Sequence, residues 1–156
     1  MIRPAEASDH PAMEAVFCAS VRALCAEAYG QEVIDAWIGP PRLERFVKGQ
    51  QRGNEYYVLV RDGQVAGFGA LRIEEQLLDA LFVEPSLTGQ GIGRALLDFM
   101  VSEAQKTGCQ KLRVHSSLNA VGFYRANGFS ETGRGDLVLD GGVALGSVFM
   151  ERPLSP

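Results

Sequence analysis

A chain of 156 residues is the size of one ordinary domain, able to bury roughly 70 % of the surface it exposes when unfolded. Its 46 % hydrophobic and 22 % charged residues suit a globular protein, and no apolar stretch approaches the roughly 20 residues of a membrane span, which argues against a membrane role. The formal net charge of -4 lacks the basic excess that DNA or RNA demands, so no nucleic-acid partner is expected and an anionic ligand has to be held locally.

The opening "MIRPAEASDHP" breaks with charge and proline where a secretory leader needs an apolar segment, so the expected location is the cytoplasm. Ile2 and Arg3 read as a short strand. Ser8 or Asp9 is placed to cap a helix that starts at His10-Pro11 and carries Met13, Val16, Phe17, Val21, Leu24 and Cys25 at spacings of three and four, one buried stripe. Gly30 interrupts it, a second helical piece runs through Val33, Ile34 and Trp37, and Pro40-Pro41 opens a third near Leu43, Phe46 and Val47. Cys18, Cys25 and Cys109 fall in no zinc or dithiol spacing and are expected to be reduced and structural; His115 lacks partners at metal spacing, so no metal is expected.

From Glu55 the period changes. "EYYVLVR", the turn "DG" and "QVAGFGALRI" form a hairpin signature, "QLLDALFV" adds a third antiparallel strand, and Pro85 ends it. A helix from about Gly91 to Thr107 buries Ile92, Leu96, Phe99, Met100 and Ala104 and is closed by Gly108. "KLRVHS" is then a strand reached by a right-handed parallel crossover, "NAVGFYRAN" a short helix ended by Gly128, and "DLVLDGGVALGSVFMER" a closing hairpin around Asp140-Gly141-Gly142. With no repeat or long linker, one α/β (mixed α+β) domain over residues 1–156 is expected, a mixed sheet with helices on its faces.

The segment "PSLTGQGIGRALL" raises a chemical question. Gly89, Gly91 and Gly93 stand between a strand end and a helix start, where the unpaired amides of the first turn and the positive end of the helix dipole make an anion site. Lacking β-carbons, they admit a phosphate or diphosphate to the amides from Gly89 through Gln90, Gly91, Ile92 and Gly93, and Arg94 adds a charge-assisted bond. The Walker loop fails for want of Gly-Lys-Ser/Thr, and the dinucleotide fingerprint fails because Arg94 and Leu96 occupy its last glycine. A tight turn against a neighbouring strand is the structural alternative.

"LFVEPSLTGQGIGRALL" resembles the acyl-coenzyme A motif of the GNAT superfamily of N-acetyltransferases, in which Arg/Gln-x-x-Gly-x-Gly/Ala follows a strand; Gly91 and Gly93 match, and Thr88 stands in the first position. "MIRPAEASDHPA" and "SSLNAVGFYRANGFSETG" resemble the family's opening segment and its Asn-x-x-x-x-Phe-Tyr-x-x-x-Gly-Phe segment, so nearly the whole chain is covered. The resemblance implies a strongly twisted mixed sheet of about six to seven strands whose middle strands splay to admit the pantetheine arm. It implies acetyl transfer from acetyl-CoA to the amine of a small molecule or peptide, with a homodimer admissible.

The chemistry asks for a neutral amine, an oxyanion donor and a proton for the departing thiolate. By resemblance Tyr124 is the general acid; spacing alone would pack it beside Phe123 and Phe129. Asn119 is expected to cap its helix and, by resemblance, to face the coenzyme. Strand alternation puts Asp79 with Leu77, Leu81 and Val83, where partial burial favours it as base over Glu84. The backbone of Leu81, Phe82 and Val83 is expected to pair with the pantetheine amides. By resemblance Tyr29 and Trp37 border the acceptor pocket, a position equally consistent with core packing. The rival readings are a non-catalytic acyl-coenzyme A binding module and a nucleotide-binding protein.

Overall fold

The runs Glu55–Arg61 (β2) and Gln64–Arg72 (β3) pair antiparallel across Asp62 and Gly63, at φ 53° and 74°, the two left-handed residues that a tight hairpin turn requires. In the computed structural model, which describes residues 1–40, 44–139 and 141–155, this hairpin lies within a seven-stranded mixed sheet. The other strands are Ile2–Pro4 (β1), Leu77–Val83 (β4), Lys111–Ser117 (β5), Ser130–Val138 (β6) and Ala144–Pro153 (β7), in the order β1-β2-β3-β4-β5-β7-β6. Neighbours run antiparallel except β4 and β5. That parallel pair is joined at Leu77↔Arg113 and Leu78↔Val114, and beyond these positions the two strands part.

The helices are His10–Leu24 (α1), Gln31–Ile38 (α2), Arg45–Gln51 (α3), Ile92–Lys106 (α4) and Val121–Ala126 (α5). Period-two alternation sorts the strands' side chains between two cores. On one face Leu96, Leu97, Met100 and Ala104 of α4 meet Leu71, Leu78, Leu112, Val114 and Met150. On the other, Met13, Phe17 and Val21 of α1, Ile34 of α2 and Phe46 of α3 cover Val58, Phe68, Ala70 and Leu145. Helix α4 approaches closely because β3 has no side chain beneath it at Gly67, where a β-carbon would lie 2.9 Å from the Phe82 carbonyl oxygen and 3.1 Å from Ile92 and Leu96.

Three details depart from the sequence reading. Asp9 stands at the start of α1 without capping it; its carboxylate instead takes both Arg3 guanidinium nitrogens, at 2.7 and 3.0 Å, and the Glu6 amide at 2.7 Å, tying β1 to the turn before the helix. Leu24 leaves the buried stripe and is 38 % exposed. Ile73 begins a 3-10 turn, Ile73–Glu75, rather than extending the strand. Pro41 and Leu43 of the third helical piece and Asp140 of the closing hairpin lie outside the described residues. Among the described residues, no helix is long and apolar enough to cross a membrane.

The Arg3 hydrogen bond holds the Asp9 carboxyl below its usual range, so its stabilisation is present above the unfolded carboxylate pKa and is lost as pH falls through the depressed value. Asp9→Asn is expected to cost about 1–3 kcal/mol at neutral pH. Denaturant melts of both proteins should begin to approach each other as pH falls past 3.8, the reference value for the group, and converge only in stronger acid, below the depressed value.

Candidate active site

Strand β4 ends at Pro85, and the turn Pro85–Leu87 is closed by side chains: the Glu84 carboxylate accepts from the Ser86 amide at 2.6 Å and from its hydroxyl, and the Thr88 hydroxyl donates to the Pro85 carbonyl at 3.0 Å. Glu84 is thereby committed to the turn. Gly89 and Gly91 follow, both at φ 81°, a conformation that any side chain would strain. A β-carbon at either would meet nothing within 4 Å, so no neighbouring strand accounts for the glycines. The first helical bond of α4 runs from the Ala95 amide to the Gly91 carbonyl at 3.0 Å, which leaves the amides of Ile92, Gly93 and Arg94 without an intrahelical acceptor. Three donors and a helix dipole converge on an open concavity.

That concavity is a cleft of about 380 Å³ running between the glycine loop, β4 and the start of α5. Every residue expected on the coenzyme side lines it except Gln90, whose side-chain oxygen accepts from Arg61 instead. Arg94 lies at the rim, largely exposed, with Asp98 at a loose 3.8 Å. Ser20, Leu24 and Cys25 line the cleft as well. Helical periodicity counted Leu24 and Cys25 as core; Cys25 is buried in it while also bordering the cleft, whereas Leu24 faces the open side at the end of α1 and is exposed.

Asn119 lies in the 3-10 turn Leu118–Ala120, and Ala120 precedes α5 with no side-chain cap, so the capping role expected of Asn119 is not formed. Its amide reaches the Cys25 thiol, whose ionisation burial pushes up and this hydrogen bond pulls down.

Tyr124 is buried between Phe123 and Phe129, at ring separations of 5.2 and 5.3 Å. Burial pushes its phenol well above the ordinary value, and the hydroxyl has no hydrogen-bond partner among the described residues. Tyr124 also lines a second cavity, of about 580 Å³, on the far side of the parted strands. Leu81, Phe82, Ser117 and Ala120 are shared between the two in the same way. Tyr124 is therefore part of the wall common to the two cavities.

Trp37 lines this second cavity, edge-on to Phe17 and Phe82 at 6.2 Å each. Tyr29 lines neither cavity: its hydroxyl donates to the Gly146 carbonyl at 2.5 Å and accepts from the Leu118 amide at 2.9 Å, pinning α2's approach to β7. Asp79 does reach the cavity, but from the opposite face to the one alternation assigns. The register skips it between Ala70↔Ala80 and Leu71↔Leu78, and this bulge turns it towards Arg72 and Asn54, from which its Oδ2 accepts at 3.2 and 2.7 Å. It is exposed and already paired, not half-buried and awaiting a proton.

His115, set aside at the sequence level, lines the same cavity and stacks on Phe149 at 4.9 Å. Burial, reinforced by Arg113 and opposed by Asp79 and Glu75, holds its imidazole below pKa 6.5, so it is neutral at pH 7. Among the described residues, no three His, Cys, Asp or Glu gather as a metal site.

The sequence pattern of the acetyltransferase (GNAT) domain family matches residues 25–145. The chain belongs to this family. An IAA acetyltransferase of Azospirillum brasilense is 33 % identical over 106 residues, covering 64 % of this chain and 67 % of that one. A peptidyl-lysine N-acetyltransferase, YjaB of Salmonella typhimurium, is 35 % identical over 69 residues, 44 % of this chain; the match spans 46 % of the relative's length. Among solved structures, a GCN5-related N-acetyltransferase from Rhodopseudomonas palustris superposes with a TM-score of 0.92 at 26 % identity, over 99 % of this chain and 95 % of that one. The PaiA N-acetyltransferase of Thermoplasma acidophilum, solved in complex with coenzyme A, gives 0.76 at 26 % identity over 98 % of both.

The three glycines differ in what they tolerate. A β-carbon at Gly93 would make ordinary contacts, 3.5 Å to Phe123 and 3.6 Å to Val83, and the residue carries no positive φ, which explains why the family pattern admits alanine there. Gly93→Ala is expected to bind coenzyme A with near-unchanged affinity and to gain up to about 1 kcal/mol of stability. Gly91→Val, strained at φ 81° and intruding on the concavity, is expected to fold yet lose coenzyme binding; calorimetric titration of both variants checks the contrast.

Proposed function

We propose that the chain transfers an acetyl group from acetyl-coenzyme A directly to the amine of a small molecule or peptide. The observation that carries this reading is Tyr124, a buried side chain that lines both cavities where they share a wall. One cavity ends in an anion-binding helix terminus and the other in an aromatic wall, which suits a coenzyme on one side and an acceptor on the other.

The amides of Ile92, Gly93 and Arg94 would hold the diphosphate. The β5-facing edge of β4 is unpaired from Asp79 onward, so Leu81, Phe82 and Val83 have backbone groups for the pantetheine amides, in the manner of an added strand. When bound, acetyl-coenzyme A supplies an activated thioester. The passage between the parted strands then holds the two reactants in line, which by itself can account for a large part of the acceleration.

The proton balance falls to two side chains. His115, neutral at pH 7, takes the proton that the acceptor ammonium must lose before its nitrogen can attack. The nitrogen attacks and gains the acetyl group, the carbon-sulfur bond breaks, and the departing sulfur receives a proton from Tyr124, whose phenol burial keeps protonated in the resting site; the second proton, shed by the nitrogen as it becomes an amide, returns to the phenolate and restores Tyr124. Asp79 has a positioning task, holding Arg72.

Release of free thiol with an amine panel tests the reading; coenzyme binding without turnover on any amine would support a binding module instead. Tyr124→Phe is expected to lower kcat by about 10²-fold or more while leaving coenzyme affinity nearly constant. A variant with unchanged turnover would remove the residue from the mechanism. Because His115 must be deprotonated to act and its imidazole is held below the ordinary histidine value, kcat/KM should fall along an acid limb displaced below that ordinary value, and His115→Gln should lose both rate and that limb.

A further inference from the structure

Arg45 and Lys48 of helix α3 and Arg52, the residue at its C-cap, follow one another at intervals of three and four residues on the side that borders the entrance to the acceptor side. All three line a cavity of about 250 Å³ that shares Arg45, Arg52 and Trp37 with the larger acceptor cavity, so the two form one vestibule and chamber.

The cations on these walls are not equally committed. Arg45 is held by Glu14 at 2.8 Å and by the Ile38 carbonyl, with its guanidinium 4.4 Å above the Phe17 ring. Lys48 has Glu44 at 3.8 Å. Arg72 is shared among Asn54, Glu75 and Asp79. Arg52, exposed and lining both cavities, has no acidic or carbonyl partner for its guanidinium among the described residues. The acidic wall residues Glu44 and Asp79 are both spoken for, so one guanidinium fork remains unmatched above an aromatic floor of Phe17, Trp37 and Phe82.

We propose that the acceptor is an amine that also bears a carboxylate, and that Arg52 is the residue that binds it. This rests on the acetyl-transfer reading for its chemistry and names the substrate class of that site. A guanidinium matches a carboxylate with two parallel hydrogen bonds, whereas the surplus positive charge works against a polycationic acceptor such as a polyamine. The apolar body of the acceptor lies on the aromatic floor, its amino group towards Tyr124 and His115 and its carboxylate towards the vestibule.

Trp37 is the chain's single tryptophan and lines both cavities, so its fluorescence reports occupancy without turnover. Titrations compare 4-(aminomethyl)benzoate with benzylamine, which differ by the carboxylate alone, and include spermidine. The carboxylated amine is expected to bind about tenfold more tightly, the scale of one charge-assisted hydrogen bond. Arg52→Gln should erase that difference and Arg52→Lys keep part of it, with circular dichroism showing that each variant is folded. Equal affinity for the matched pair, tighter binding of spermidine, no binding of either amine, or a preference that survives in Arg52→Gln would each overturn the proposal. Thiol release, measured in parallel, tests acetyl transfer separately: preferential binding without thiol release removes the reaction and leaves the binding class, and thiol release without preference does the reverse.

Discussion

Everything in the site depends on two parallel strands that pair briefly and then separate. After Leu78↔Val114, β4 and β5 no longer exchange hydrogen bonds, and backbone donors and acceptors in the middle of a sheet are left open. Such groups are tolerated only where water or a ligand satisfies them, and a molecule with its own amides matches them best. The physical cause is local. Asp79 is bulged out of the β3 register, which bends β4 and increases its twist, while Gln76 ties the other end of the pair: its carbonyl accepts from the Arg113 amide at 2.7 Å and its side-chain oxygen from the Gln110 amide at 2.9 Å. One end of the strand pair is clamped and the other is bent away.

The parted strands also explain why the two cores matter for chemistry. Helix α4, seated close on β3 above Gly67, fixes the direction of its own N-terminus and so the direction in which the Ile92, Gly93 and Arg94 amides point. On the opposite face, Phe17 and Trp37 are locked edge-on against Phe82, a residue of β4 itself. A single strand thus carries the wall of both cavities. Tyr124 is held by Phe123 and Phe129 against the same gap, so its ring is positioned by packing, and its hydroxyl has no hydrogen-bond partner among the described residues that would compete with the donation proposed above.

What the sequence made legible were features written in local spacing. The order of elements, the hairpin at Asp62-Gly63 and the glycine loop follow from turn chemistry and period, which act over a few residues. What it concealed depends on contacts between distant segments. Alternation cannot register a bulge, so it assigned Asp79 to the wrong face. The Tyr29 hydroxyl is consumed by a carbonyl 117 residues away, which no window around Gly30 reveals. His115 and Arg52 sit in stretches that read as an ordinary strand and an ordinary helix end; each becomes a candidate only when β5, α3 and the aromatic residues of α1 and α2 are brought around one cavity. Leu24 and Cys25 both fit a helical stripe, and Cys25 is buried as the stripe implies; the error lay in supposing that Leu24 is covered too.

A chain of net charge -4 that handles a diphosphate, and by our inference a carboxylate, presents an apparent contradiction. It resolves with distance. At physiological ionic strength charges beyond about 8 Å are largely screened, so the sum over the surface has little say inside a cleft. In the proposed reading the diphosphate end uses peptide dipoles and needs almost no net charge, consistent with Arg94 lying largely exposed beside Asp98. The acceptor end has no helix N-terminus of this kind and uses guanidinium groups, most of which are neutralised by Glu14, Glu75 and Asp79 before any ligand arrives. Among the described residues, what those acids leave uncompensated is Arg52, and in the inference drawn above its isolation at the vestibule would separate a selective site from a generally basic surface.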